Sequence, residues 1–281
     1  MPATALDRSY ARRAWQRFEP VHACVYFSPE CLEAAKAAGL KGFWMSYFGS
    51  RAAPMGPVAA GVVEATFFSF YPARVRRAVP DAWSYASPAS LVESRRVAAA
   101  TALRRNLGSA VEEQAPALLA LMRPAVEAAV VAGRPLAGAN REVPESGDPV
   151  ADLWQATTFL REHRGDGHVS VLVAEGLDGC EALVLFAATN DVPAQMLKDA
   201  RGWSDEDWGA AVDRLSGRGL APGSEAARSL RERVEAATDE LAVRPFAVLD
   251  DDQRDDLLAR LDTLGHGDVP YPNPMGVPRP A

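Results

Sequence analysis

Residues 192–220 read VPAQMLKDARGWSDEDWGAAVDRLSGRGL, and their punctuation decides the fold. A short helix over 193–200 ends in a turn at Arg201-Gly202-Trp203. Ser204 then stands three residues before Asp207, a capping box that starts a second helix over 204–216. Leu215-x-x-Arg218-Gly219-Leu220 closes it, and 221–224 form only a brief turn before the next helix. Helix, tight turn and capped helix, with no strand pattern nearby, point to an all-helical chain.

Working outward, the same signals recur. Thr238-Asp239-x-Leu241 falls in a long helix over 224–243, and another helix runs over 251–264. Upstream, helices are expected over 148–164, 169–175 and 180–188. In the first part of the chain they are expected over 5–18, 29–39, 42–48, 57–68, 73–79, 87–107 and 110–131. Ser28-Pro29 and Ser87-Pro88 are N-cap and first-turn pairs, and Gly39 and Gly108 are stops. Segment 168–175, HVSVLVAE, has strand-like residues but no partner of matching alternation. The fold class is all-α or nearly so.

Two short segments repeat at one offset. Residues 37–42 (AAGLKG) match 174–179 (AEGLDG), and 96–101 (RVAAAT) match 233–238 (RVEAAT), both 137 positions apart. Two helical repeats related by pseudo-two-fold symmetry are the expectation, over 1–135 and 148–265. A Pro- and Gly-rich linker (136–147) and a Pro-rich tail (266–281), extended or disordered, complete the chain.

The second repeat resembles a winged helix-turn-helix domain of the multiple-antibiotic-resistance repressor type, on the residues of 192–220 and Thr238-Asp239-x-Leu241. The whole chain is similar to an actinobacterial family described as helix-turn-helix proteins. The resemblance implies a repressor-like dimer fused into one chain that responds to a small molecule. Departures from that pattern matter. The helix that would enter the major groove begins Asp205-Glu206-Asp207, which stabilises a helix N-terminus but repels phosphates. Basic residues for DNA are limited to Arg74, Arg76 and Arg77 in the first repeat and Arg214 and Arg218 in the second. A net charge of −7 further disfavours DNA as a partner.

The candidate ligand site lies in 42–72, GFWMSYFGSRAAPMGPVAAGVVEATFFSFYP. Arg51 and Glu64 are its only charges, and buried charges demand partners. Two readings stand: an ion pair between them, or Arg51 anchoring a ligand carboxylate or phenolate with Glu64 orienting Arg51 or acting as a base. Tyr47, Met55, Phe67 and Phe68 would form an apolar wall, joined by His22 and Tyr26 from the segment that follows the first helix. No cofactor is expected. His22 and His168 are the two residues through which haem or a metal would be held, and neither belongs to a CxxC or HExxH spacing.

Walker, GxGxxG and GxSxG motifs are absent, so whether the chain is an enzyme stays open. Three cysteines, an odd number, and no signal-peptide pattern suit a reducing cytoplasm. No uncharged run reaches the ~18 residues of a membrane span. The functional expectation is a protein that binds a hydrophobic or aromatic metabolite, either as a ligand-responsive regulator or, having lost DNA binding, as a sequestering protein or cofactor-independent enzyme. The oligomeric state is left open.

Overall fold

The computed structural model describes residues 7–190 and 192–278. Fifteen α-helices are found among them, and no strand. In chain order they are α1 (Arg8–Phe27), α2 (Pro29–Ala37), α3 (Gly42–Ala52), α4 (Ala60–Phe67), α5 (Pro72–Arg76), α6 (Ala82–Tyr85), α7 (Pro88–Leu107) and α8 (Ser109–Ala128). Then follow α9 (Pro135–Arg141), α10 (Pro149–Ala174), α11 (Gly179–Thr189), α12 (Ala194–Arg201), α13 (Asp205–Gly217), α14 (Glu225–Val243) and α15 (Asp251–Leu264). Short 3-10 turns at Ala53–Met55 and Arg244–Val248 extend α3 and α14.

The local signals behave as their chemistry dictates. The Ser204 hydroxyl accepts from the Asp207 N–H at 3.0 Å, and the Asp207 carboxylate accepts from the Ser204 N–H at 3.2 Å. Gly202 takes φ +87, so the chain can reverse between α12 and α13. The turn over 221–224 carries no strand, so a β wing is lacking there. Ser28 has the extended backbone of an N-cap, yet its hydroxyl makes no capping bond.

The organising element is α10, 26 residues long. It packs against α1, α7, α8, α9 and α14. The sequence suggests two helices here, broken near Gly165 and Gly167. Instead one helix passes through both glycines, because burial on nearly every side replaces the single apolar stripe that periodicity detects. Trp154 and Phe159 are enclosed among Phe18, Leu118, Met122 and Phe246, in a core shared by α1, α7, α8, α10 and α15. A second core collects Tyr47, Phe48, Phe67, Phe70, Val75 and Val79. A third joins α10 to the helix-turn-helix unit through Leu172, Leu185, Leu215, Leu230 and Val234.

Three further departures position the site. Segment 136–147 contains part of α9, whose Leu136 and Ala137 are buried. First-helix periodicity suggests an end at Phe18, but α1 continues through Pro20 to Phe27. The described part of the tail, 265–278, is fastened by turns. Asn273, 1% exposed, donates to the carbonyls of Pro270 and Val277 and accepts from the N–H groups of Met275 and Val277. Val277 thereby enters the aromatic core. Helix starts also share the sequence offset: α3 and α11 begin at Gly42 and Gly179, and α7 and α14 at Pro88 and Glu225, each 137 residues apart.

Candidate functional site

A cavity of about 510 Å³ lies where α1, α3 and α4 meet α10, α11, α12 and α14, with residues 274–278 of the tail across it. Its size falls within the range of small-molecule sites. The apolar wall comes from Phe67, Phe68 and Phe70 on one side and Leu183, Phe186 and Leu197 on the other. Helix α10 brings Arg161, Glu162, Arg164, Asp166 and His168 to it. Helical spacing spreads these over about two turns of α10.

The expected Arg51–Glu64 pair does not form. Arg51 Nε and Nη2 donate to Glu162 Oε1 and Oε2, each at 2.8 Å, and Nη1 donates to the Tyr47 hydroxyl at 2.8 Å. Arg161 Nη1 adds a third donor to Glu162 at 2.7 Å. Burial pushes the Glu162 carboxyl up, but the charges of Arg161 and Arg51 outweigh it and hold it well below the usual carboxylate range. Glu64 lies elsewhere, with its Oε1 2.6 Å from Arg76 Nε. Arg51 therefore belongs to the cavity wall, but its charge is already paired with Glu162.

The other site residues separate into two sets. Tyr26, Tyr47, Arg51, Phe67, Phe68 and His168 line the cavity. His22, Met55 and Glu64 do not. Met55 packs on the aromatic core. His22 is enclosed, bonded to Thr158 Oγ1 and the Tyr26 hydroxyl at 2.9 Å each, and burial keeps its imidazole neutral. His168 Nδ1 lies 2.9 Å from Thr238 Oγ1, and burial pushes its imidazole down to about 3 against the opposing charge of Glu235. No group of three His, Cys, Asp or Glu suited to a metal is found among the described residues.

Beside His168 is a second charged cluster. Arg12 and Arg164 share Asp239, with Nε–Oδ2 and Nη2–Oδ1 distances of 3.0 Å each. Arg231 reaches Glu235 at 2.6 Å. Asp166 accepts from the Ala137 N–H at 2.9 Å, and burial raises its carboxyl to about 6.

Arg201 was legible only as part of a turn. It closes α12, lines the cavity and is 7% exposed. Its Nη2 donates to the Pro274 carbonyl at 2.7 Å, and its guanidinium lies 4.5 Å from the Phe70 ring centroid. No local signal marks it, because both contacts are made across the fold.

The backbone where the two parts of the wall join is tight. Phe68 takes φ +28, unusual for a side chain of its size. Its carbonyl oxygen would be 2.2 Å from a Cβ on Gly179, so only glycine fits at the start of α11.

The basic residues expected at DNA are mostly engaged within the protein. Arg214 pairs with Asp178 and Glu181, and Arg218 donates to the carbonyls of Glu175 and Gly176. Arg74 binds the Asp199 and Ala200 carbonyls, and Arg76 binds Glu64, leaving Arg77 exposed. Asp205 and Glu206 are exposed on the first turn of α13.

An all-helical architecture with a capped helix-turn-helix over α12 and α13 defines the class. The chain belongs to a helix-turn-helix family, whose model matches residues 11–267. Membership points to a DNA-binding or regulatory helical protein. No curated protein and no solved structure matches the chain. No helix among the described residues is long and apolar enough to cross a membrane.

Proposed function

We propose that this protein binds a hydrophobic, aromatic-compatible small molecule in the cavity around α10, on a scaffold of two related helical units. The carrying observation is the cavity itself: about 510 Å³, walled by aromatic and aliphatic side chains and by buried, ordered charges. The equal spacing of helix starts supports the two-unit reading, over 1–135 and 148–265.

A regulator is the reading favoured by α12. This first helix of the helix-turn-helix supplies Leu197 and Arg201 to the cavity wall, so occupancy and the position of α13 share one element. The resemblance to repressors of the multiple-antibiotic-resistance type supports the same reading. The exposed carboxylates of α13 favour the alternative, a protein that holds or transforms a metabolite without DNA.

Fluorescence of 1-anilinonaphthalene-8-sulfonate tests the cavity. Wild-type protein is expected to bind it, and Ala182→Trp, which fills the wall, to lose it while remaining folded. Equal binding by both sinks the cavity reading. Gel shifts with DNA from upstream of the coding region test the regulator: retardation at low salt that a cavity ligand relieves supports it, and no retardation at low salt removes it.

A further inference from the structure

We infer that the cavity's ligand is a hydrophobic monocarboxylate and that Arg201 binds its carboxylate. The inference rests on the cavity being the ligand site proposed above. Six arginines line that cavity: Arg12, Arg51, Arg161, Arg164, Arg201 and Arg231. Five of them are within salt-bridge distance of a carboxylate. Arg201 has no carboxylate partner among the described residues. It has only the Ser69 hydroxyl at 3.3 Å and the Pro274 carbonyl at 2.7 Å, and its Nη1 is buried with no hydrogen-bond partner.

A buried guanidinium without a counter-charge is costly, and a buried donor left unbonded adds to that cost. Burial lowers the pKa of Arg201 only to about 10, so it remains charged at neutral pH. Such a group is stable when something supplies the missing acceptor. The five other arginines are each paired with Glu162, Glu235 or Asp239, so among the described residues Arg201 is the one guanidinium of the wall left without a counter-charge. One carboxylate supplies a single negative charge and two acceptor oxygens for it.

The surroundings give the rest of the ligand. Phe70 stacks below the guanidinium, and Leu183, Phe186, Val192 and Leu197 line the same cavity. A guanidinium fork matches a carboxylate through two parallel hydrogen bonds. The group that would meet the ligand also holds the tail, through the Pro274 carbonyl, so head-group binding and tail closure converge on one side chain.

Calorimetric titration of the full chain with matched acid and ester probes tests this. The pairs are 2-naphthoate with methyl 2-naphthoate, and decanoate with methyl decanoate. In the wild type at least one acid is expected to bind tenfold or more tightly than its ester. In Arg201→Met the acid and ester are expected to bind equally, while Arg201→Lys retains a preference for the acid. A role of Arg201 in tail packing alone would weaken acid and ester together and leave their ratio unchanged. Equal binding of acid and ester by the wild type overturns the proposal, as does a preference that survives in Arg201→Met. If Arg201→Met does not fold, the wild-type ratio and Arg201→Lys decide. Binding of 1-anilinonaphthalene-8-sulfonate without binding of either acid overturns the monocarboxylate but leaves the cavity reading standing.

Discussion

Arg51 and Glu162 are 111 residues apart in the chain and meet in two parallel hydrogen bonds of 2.8 Å. The pair ties α3 to the middle of α10, and Glu162 is 1% exposed. Removing one partner leaves a buried charge short of its complement. Arg51→Met is expected to lower the unfolding free energy by about 3 kcal/mol, with Arg161 limiting the damage. The double variant with Glu162→Gln should recover part of that. The pH dependence follows from the depressed Glu162 carboxyl. Its contribution is present above the unfolded value of about 4.3 and is lost as pH falls below it. Urea unfolding of wild type and Glu162→Gln should therefore converge as pH drops below that value. Parallel curves down to strongly acid pH would contradict the assignment.

Asp166 has the opposite sign. Its folded pKa of about 6 exceeds the unfolded value of about 3.9, so its ionised form opposes folding. The favourable, protonated state is fully present below about pH 3.9 and is lost as pH rises through about 6. Asp166→Asn keeps an oxygen for the Ala137 N–H and removes the ionisation. Relative to wild type it should gain roughly 2–3 kcal/mol of stability between pH 4 and pH 8. A stability difference that does not change with pH would refute the burial argument.

Gly179→Ala is expected to be destabilising by about 1–3 kcal/mol despite the better helix propensity of alanine. The added methyl meets the Phe68 carbonyl, a backbone atom that no side-chain rotation can move aside. Gly209, also helical and with open space at its Cβ position, provides the control. Gly209→Ala should be neutral or stabilising, and matching thermal shifts for the two variants would argue against the contact.

Asn273 organises the tail through four hydrogen bonds, so Asn273→Ala should act locally. Limited proteolysis is expected to cut 266–278 many times faster in the variant, with little change in the main unfolding transition. A fall in global stability as large as that of Arg51→Met would instead make the tail part of the cooperative core.

What could be read from the sequence was local. The Ser204–Asp207 box, the Ser87-Pro88 start of α7 and the stop at Gly108 each involve neighbours within a few residues. Tyr47 and Arg51 are grouped in the sequence only by the apolar stretch 42–72, and the hydrogen bond between them appears because α3 runs on past Phe48 to Ala52. Arg51's true partner was hidden because Glu162 lies in another helix with no motif around it. Glu64 was drawn in only because it shared an apolar stretch, and the fold turns it toward Arg76. The prolines of the tail suggest an extended or disordered segment, whereas the Asn273 turn that fastens it depends on the packing of Val277. Arg201 is readable only as part of a turn: its significance is a missing partner, and a missing partner is visible only when every neighbour is known.

The continuity of α10 has a consequence for insertions and deletions. One residue added between Leu160 and Arg161 would swing everything beyond it by about 100° and advance it by about 1.5 Å. Glu162, Arg164 and Asp166 would leave their partners together, while Trp154 and Phe159 stayed in place. Four added residues return the helix to within about 40° of its starting phase. Length variation among related chains should thus be permitted in the turns flanking α10 and excluded from the helix, except in steps that complete a turn.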